Sequence, residues 1–274
     1  MQGTGNWSPP TGTLGRIIGE AAERVSKLRR DAPGLERTAA DAGRPGLSLK
    51  AALRQTSVGI IAEVKRRSPS KGWIAEGLPA VALAHAYADG GAAAISVLTE
   101  PKHFDGSIED LDAVVGDIDL PVLKKDFHID PIQLAEARAH GATAVLLIVR
   151  ALHPQQLQAM LDAAKQFQLE TLVEVRDKDE LKRAIDAGAE IIGINNRDLE
   201  TLIIDPTTSD RLLPMIPSGL VAVVESGIST ITDVARVAAL GVDAVLVGSS
   251  LSSADDPEAL VRQLASLPRK QRVR

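Results

Sequence analysis

The chain has 274 residues, is 45% hydrophobic and 24% charged, and carries a formal net charge of −5 with no cysteine. Its length allows either two domains or a single α/β barrel of roughly 200–250 residues, and its composition suits a globular protein that can bury a full core. Disulfides, thiolate metal sites and cysteine nucleophiles are excluded, and the acidic balance argues against a general nucleic-acid or anionic-membrane binder.

Aromatic residues are scarce, with two Trp, one Tyr and three Phe, so the core has to be built from Ala, Val, Leu and Ile. No run of 18 apolar residues marks a membrane span. The opening MQGTGNWSPPTG lacks the features of a secretory signal, and residues 1–12 read as a disordered lead-in. Absence of cysteine fits a cytoplasmic location.

Residues 14–30 predict a helix, with Leu14, Ile17, Ile18, Ala21, Ala22, Val25 and Leu28 on one face. Residues 31–47 (DAPGLERTAADAGRPGL) read as a mobile connection. Together, 13–58 form a helical extension ahead of the first strand. Eight strands then follow: 59–65, 93–98, 121–126, 143–149, 170–175, 190–195, 220–225 and 243–248. Several are near-continuous apolar runs, as in parallel strands covered on both faces. Helical segments lie between most of them. Asp130 and Asp177 predict N-caps, as does Ser229 in STITDVARVAALG, and glycines follow the helix ends. Gly91, Gly141, Gly188 and Gly241 recur at intervals of 50, 47 and 53 residues, each before a strand. Such an echo marks repeated supersecondary units.

Eight strands alternating with helices predict a closed (β/α)8 TIM barrel over residues 59–268, with 269–274 as a C-terminal tail. An open doubly wound sheet would carry a glycine-rich phosphate turn after its first strand, and both GxGxxG and GxxxxGK[ST] are absent. A barrel needs no helix before its first strand. The leading helix is therefore expected to lie across the barrel and close its N-terminal end.

In such barrels chemistry sits at the C-terminal strand ends. Here those ends carry Glu63 and Lys65, then Lys124, Lys125 and Asp126, then Glu174, then Asn195, Asn196, Arg197 and Asp198, then Glu225 and Ser226. Alternation puts Glu63 and Lys65 on one face. Glu174 sits within LVEV, where a carboxylate must be paired or shifted in pKa. A convergent Lys/Glu cluster would supply that pairing and tune both groups for proton transfer. The turns Ser226-Gly227 and Gly248-Ser249-Ser250 end the seventh and eighth strands, where phosphate is often bound by backbone N–H groups. The five histidines show no metal-ligand spacing, so no metal is inferred. Arg66, Arg67 and Lys71 form a basic stretch after the first strand, either a solvated loop or part of a mobile lid over an anionic substrate.

The segments IIAEVKRRSPSKG, SVLTEPKHFDGS, PVLKKDFHIDPIQ, AVLLIV, LVEV, IIGINNRDLETL, VVESGI and VLVGSSL span about residues 59–251. In that order they resemble indole-3-glycerol phosphate synthase, an enzyme of tryptophan biosynthesis. The resemblance implies a carboxy-lyase that needs no cofactor and takes a phosphorylated small-molecule substrate. It implies Lys125 as general acid and Glu174 as base. Glu63 and Lys65 would position and polarise the substrate, and Asn195 and Glu225 would hold its polar part. Ser226, Gly227, Gly248 and Ser249 would take the phosphate, with Ser68 and Arg197 as further site residues. Phe104, Phe127 and Leu146 or Leu147 would contact the aromatic ring. The chain departs from the family at Trp73, where Leu or Val is common, and at Ser252, where Met is common. A monomer is expected, with a weak dimer as the alternative.

Overall fold

The computed structural model describes residues 7–43 and 46–272. Residues 1–6 of the expected lead-in, 44–45 of the expected connection and 273–274 of the tail lie outside the described residues. Eight parallel strands close into a barrel: β1 (Gly59–Val64), β2 (Ala94–Leu98), β3 (Val122–Lys125), β4 (Ala144–Ile148), β5 (Glu170–Val175), β6 (Ile191–Asn195), β7 (Val221–Glu225) and β8 (Ala244–Val247). Each pairs with the next, and β8 returns to β1 through Ala62 opposite Val247. Helices alternate with the strands around the outside. The four echoing glycines all have φ between 75° and 90°, so the repeat in the sequence is a repeat of left-handed helix ends.

Alternation along the strands splits the core in two. Outward residues such as Ile60, Ile95, Val145, Val173, Ile192 and Val224 pack beneath the outer helices. Inward residues such as Ile61, Leu123, Leu146, Leu172, Ile191 and Val223 fill the barrel interior. Small residues share that interior, Ala94, Ala144 and Ala244 among them. Aliphatic side chains, branched ones and alanines together, therefore build most of the core, as the shortage of aromatics requires.

The extension meets the barrel at both ends. The long helix α1 (Gly12–Leu28) was expected at the N-terminal end, but it covers the C-terminal rim. Arg24 reaches Asp126 at 2.6 Å and Glu100 at 3.4 Å, just beyond β3 and β2. Glu20 takes Lys102 at 2.5 Å and His103 at 2.6 Å. These charges sit on the loops of the C-terminal rim, so they select that end. The amphipathic pattern fixes which face is buried and carries no information about which end it covers.

The next segment, expected to be a mobile connection, forms helix α2 (Ala32–Asp41) instead. Its Ala39 packs with Val25, Ile132 and Ala135. Pro33 does not break the helix because it lies in the first turn, where no N–H partner is lost. The N-terminal end is closed by the short α3 (Leu49–Ala52), whose Leu49 joins Leu53 in the interior cluster. Ser48 Oγ and the Lys50 N–H both donate to Glu170, the first residue of β5, at 2.7 and 2.9 Å.

Asp130 and Asp177 cap their helices as expected. The helix Ile231–Ala239 is capped by Thr230, not Ser229. Thr230 Oγ1 accepts from Asp233 N–H, and Asp233 returns the bond to Thr230 N–H at 2.8 Å, a reciprocal box that the adjacent serine cannot close.

The end of the chain is tied beneath the barrel. Asp243, just before β8, accepts Ala222 N–H at 2.8 Å and pairs with Arg269 at 2.5 Å and Arg272 at 2.8 Å. Its carboxylate is almost fully buried. Asp243→Ala would leave both guanidinium groups without it and is expected to cost about 3 kcal/mol, measured by urea denaturation. A loss indistinguishable from zero would show that the tail is not tied by this pair.

Candidate functional site

The odd-numbered strands each deliver an ionisable side chain near the C-terminal end of the barrel interior. β1 supplies Glu63, β3 Lys125, β5 Glu174 and β7 Glu225. Lys65 follows on the same face of β1. Lys124, one residue from Lys125, points outward and pairs with Glu136 at 2.5 Å under the helix Pro131–Ala139.

Glu63 bridges the two lysines. Its Oε1 lies 3.3 Å from Lys65 Nζ and its Oε2 lies 3.2 Å from Lys125 Nζ. Lys125 Nζ is also 3.8 Å from Glu225 Oε2. Asn195, at the end of β6, stands beside Glu174 and favours its charged form, and its Oδ1 accepts the Arg197 N–H at 2.9 Å. Two even-numbered strands make room for the buried carboxylates. A Cβ at Gly193 would sit 2.4 Å from Glu225 Oε1, and one at Gly248 would sit 2.4 Å from Glu63 Oε1.

Burial alone would raise Glu63, but Lys125 and Lys65 outweigh it and hold this carboxylate below its usual range. Burial pushes Lys65 down, opposed by Glu63 and assisted by Lys125. Burial also works to discharge Lys125, yet Glu63, Glu225 and Glu174 hold it above the ordinary lysine range. Glu174 is raised by burial against the pull of Lys125 and Asn195. Burial and then Glu174 push Glu225 up to about 8. Neither oxygen of Glu225 accepts a hydrogen bond among the described residues.

Over this charged floor lies an open cleft. Lining it are the expected site residues Lys65, Ser68, Phe104, Lys125, Phe127, Glu174, Asn195, Arg197 and Ser226, together with Asp126 from the end of β3. Glu63 and Glu225 lie beneath them, in contact with the lysines. Gly227, Gly248 and Ser249 adjoin the cleft without being among its lining residues. Gly227 and Gly248 follow β7 and β8, and Gly248 precedes the one-turn helix Ser249–Ser252. The apolar wall holds Phe104 and Phe127, with ring centroids 6.1 Å apart, and Lys65 Nζ stands 5.6 Å from the Phe104 centroid. Leu146 lines this wall together with Ile148, while Leu147 faces outward.

The Arg67–Ser68 and Gly72–Trp73 strands pair as a hairpin at the mouth. Arg66 is not a free solvated charge. It pairs with Asp110 and donates to the carbonyls of Leu78 and Asp105 at 3.1 and 3.0 Å.

Thr13, Leu14 and Ile17 of α1 also line the cleft. Sequence reading missed them because it put α1 at the wrong end. The Thr13 N–H donates to the Glu200 carbonyl at 3.1 Å, and the Glu200 carboxylate also receives Arg150 at 2.9 Å. Trp7 stands nearby, donating to the Arg150 carbonyl at 3.2 Å. Asn196, which the sequence places at the end of the sixth strand without a role, is fully buried. Glu20, Glu100 and His103 bring potential metal-ligand atoms within 4.8 Å of one another. These atoms already have protein partners, since Glu100 accepts three backbone N–H groups of the Pro101–Phe104 turn and Glu20 takes Lys102 and His103. No helix among the described residues is long and apolar enough to cross a membrane.

The family model described as indole-3-glycerol phosphate synthase matches residues 14–264. The chain is 47% identical over 227 residues to the indole-3-glycerol phosphate synthase of Mycolicibacterium smegmatis, covering 83% of this chain and 84% of that one. It is 46% identical over 230 residues to the Mycobacterium tuberculosis protein of the same name, covering 84% of this chain and 85% of that one. Among solved structures it is similar to 3-hexulose-6-phosphate synthase from Salmonella typhimurium, with a TM-score of 0.62 at 18% identity over 76% of this chain and 97% of that one. That likeness carries the barrel fold alone. The match to the family model and the identity to its members lead to one conclusion: the chain belongs to the indole-3-glycerol phosphate synthase family.

Proposed function

We propose that the chain closes 1-(2-carboxyphenylamino)-1-deoxyribulose 5-phosphate to indole-3-glycerol phosphate, with loss of CO2 and water, and that Lys125 and Glu174 carry the proton transfers. The observation that carries this reading is the junction of an apolar wall with a buried cluster of two lysines and three glutamates in one cleft.

The ring carbon bearing the carboxylate attacks the ketone, and the ketone oxygen takes a proton from Lys125. Loss of CO2 returns the bonding electrons to the ring. Glu174 then removes a proton from the carbon beside nitrogen as the new hydroxyl, protonated a second time, departs as water. Two protons are delivered to oxygen and one is taken from carbon, so each turnover consumes one proton from solvent. Lys65 is the second donor within reach, because burial depresses its pKa and makes it the readier acid. Glu63 fixes both ammonium groups. Phe104, Phe127 and Leu146 hold the aromatic ring, and Ser68, Asn195 and Arg197 hold the polar chain. Ser226, Gly227, Gly248 and Ser249 take the phosphate. No step calls for a cofactor. A lysine with a depressed pKa could also form an imine, as in Schiff-base aldolases. Borohydride trapping of substrate on Lys65 would favour that second reading.

Three carboxylates face two ammonium groups, so one proton retained on the Glu174–Glu225 pair brings the cluster close to neutrality. Glu225 is raised to about 8 in the folded chain, against an unfolded value of about 4.3. Its contribution is fully present below that unfolded value, is lost progressively as pH rises, and is gone above about 8. Glu225→Gln is therefore expected to raise the thermal midpoint more at pH 9 than at pH 5, by at least about 3 °C. An equal shift at both pH values would count against the retained proton.

Purified protein supplied with the carboxyphenylamino substrate should produce indole fluorescence. Lys125→Ala and Glu174→Gln should each slow turnover by about 10²- to 10⁴-fold, with competitive inhibition by inorganic phosphate retained. Full activity in both variants would sink the assignment of roles.

A further inference from the structure

The turn after β7 holds an unfavourable backbone. Ser226 has φ +66° and Gly227 φ +73°. Glycine accepts the left-handed region freely, but serine does not. Such a conformation persists only where its surroundings over-determine it. Asn196 supplies that constraint. It follows β6 directly, is fully buried, and its backbone N–H donates to the Glu225 carbonyl at 3.0 Å. Its Nδ2 donates to the Ser226 carbonyl at 3.0 Å, and its Oδ1 accepts the N–H of buried Ser209 at 3.0 Å. That second bond fixes the amide orientation, since only oxygen can accept it. The Asn196 carbonyl in turn accepts the Asp205 N–H at 2.8 Å. Neighbouring Ile204 then packs over Gly227, where a Cβ would meet its Cγ2 at 3.1 Å.

We propose that Asn196 is a positioning residue for phosphate recognition: its grip on the Ser226 carbonyl holds Ser226 and Gly227 in consecutive left-handed conformations and so fixes the direction of their backbone N–H groups. This rests on the reading of Ser226 and Gly227 as phosphate contacts. Asn196 is fully buried and does not line the cleft. It acts through the turn, from a neighbouring strand, so phosphate affinity depends on a side chain that never meets the anion.

The test is a mutant cycle read by calorimetric titration with inorganic phosphate, alongside KM and kcat. Four proteins are compared: the unaltered chain, Asn196→Ala, Ser226→Gly and the double variant. With serine at 226, Asn196→Ala should weaken phosphate binding about tenfold, the scale of releasing a strained residue. KM should rise with it and kcat change less. With glycine at 226 the same substitution should cost only about twofold, because glycine needs no clamp to hold φ positive. An equal loss in both backgrounds, or no loss in either, would overturn the inference. Phosphate that binds none of the four proteins would overturn the phosphate reading itself, a distinct failure that removes this inference with it. If Asn196→Ala does not fold, Asn196→Asp at pH 8 runs the same cycle. It keeps an acceptor for Ser209 and removes the donor to Ser226.

Discussion

The whole mouth of the barrel depends on one carboxylate held between two ammonium groups. Glu63 is buried, and it sits 3.3 and 3.2 Å from Lys65 and Lys125. Removing charge from water costs several kcal/mol per ion, and only close partners with good geometry offset it. The strands supply that geometry. Alternation aims residues 63, 125, 174 and 225 at a common axis, and their neighbours at 193 and 248 have no side chain to obstruct them. The cluster is thus fixed before any ligand arrives, which is the condition for charged groups to stabilise a reacting centre without first reorganising.

The same arrangement separates the two lysines chemically. Both are buried, yet one faces three carboxylates and is held charged while the other has one carboxylate and cationic neighbours and is pushed toward neutrality. Identical side chains on adjacent odd strands therefore offer different proton affinities. Environment, not residue type, divides their duties, as it does between Glu63 and Glu225.

Much of this was legible in the sequence because strands impose a period of two. Glu63 and Lys65 two apart, and Lys124 beside Lys125, could be assigned to faces by counting, and Glu174 within LVEV declared itself by its company. The misses share another cause. An amphipathic helix names its buried face and not its target, so the pattern of α1 does not say which end of the barrel it covers. Nothing local in Glu100, Asp126 and Glu200 announces that they will meet residues 11–24. Pro33 and Gly34 read as breakers, although a proline in a first turn breaks nothing. Arg66 looked like a solvated charge because its partner, Asp110, lies far along the chain. Asn196 looked like one of a polar pair at a strand end. Its importance lies in the φ of a residue thirty positions away, which no pattern in its own neighbourhood encodes.

Placing α1 over the cleft has a consequence for how the molecule is assembled. Thr11 and Glu200 stand 189 positions apart, and Arg24 and Asp126 stand 102 apart. These are long-range contacts whose loop closure must be met before they are rewarded. Helix α1, which precedes the barrel in the chain, therefore has its docking surface made among the later segments, from loops that exist only once six strands have been laid down. The barrel can close and bury its interior while its mouth still stands open. Completion of the cleft thus depends on contacts that the barrel's own strand pairing does not supply, and opening of α1 is a route by which the site could be lost while the barrel persists.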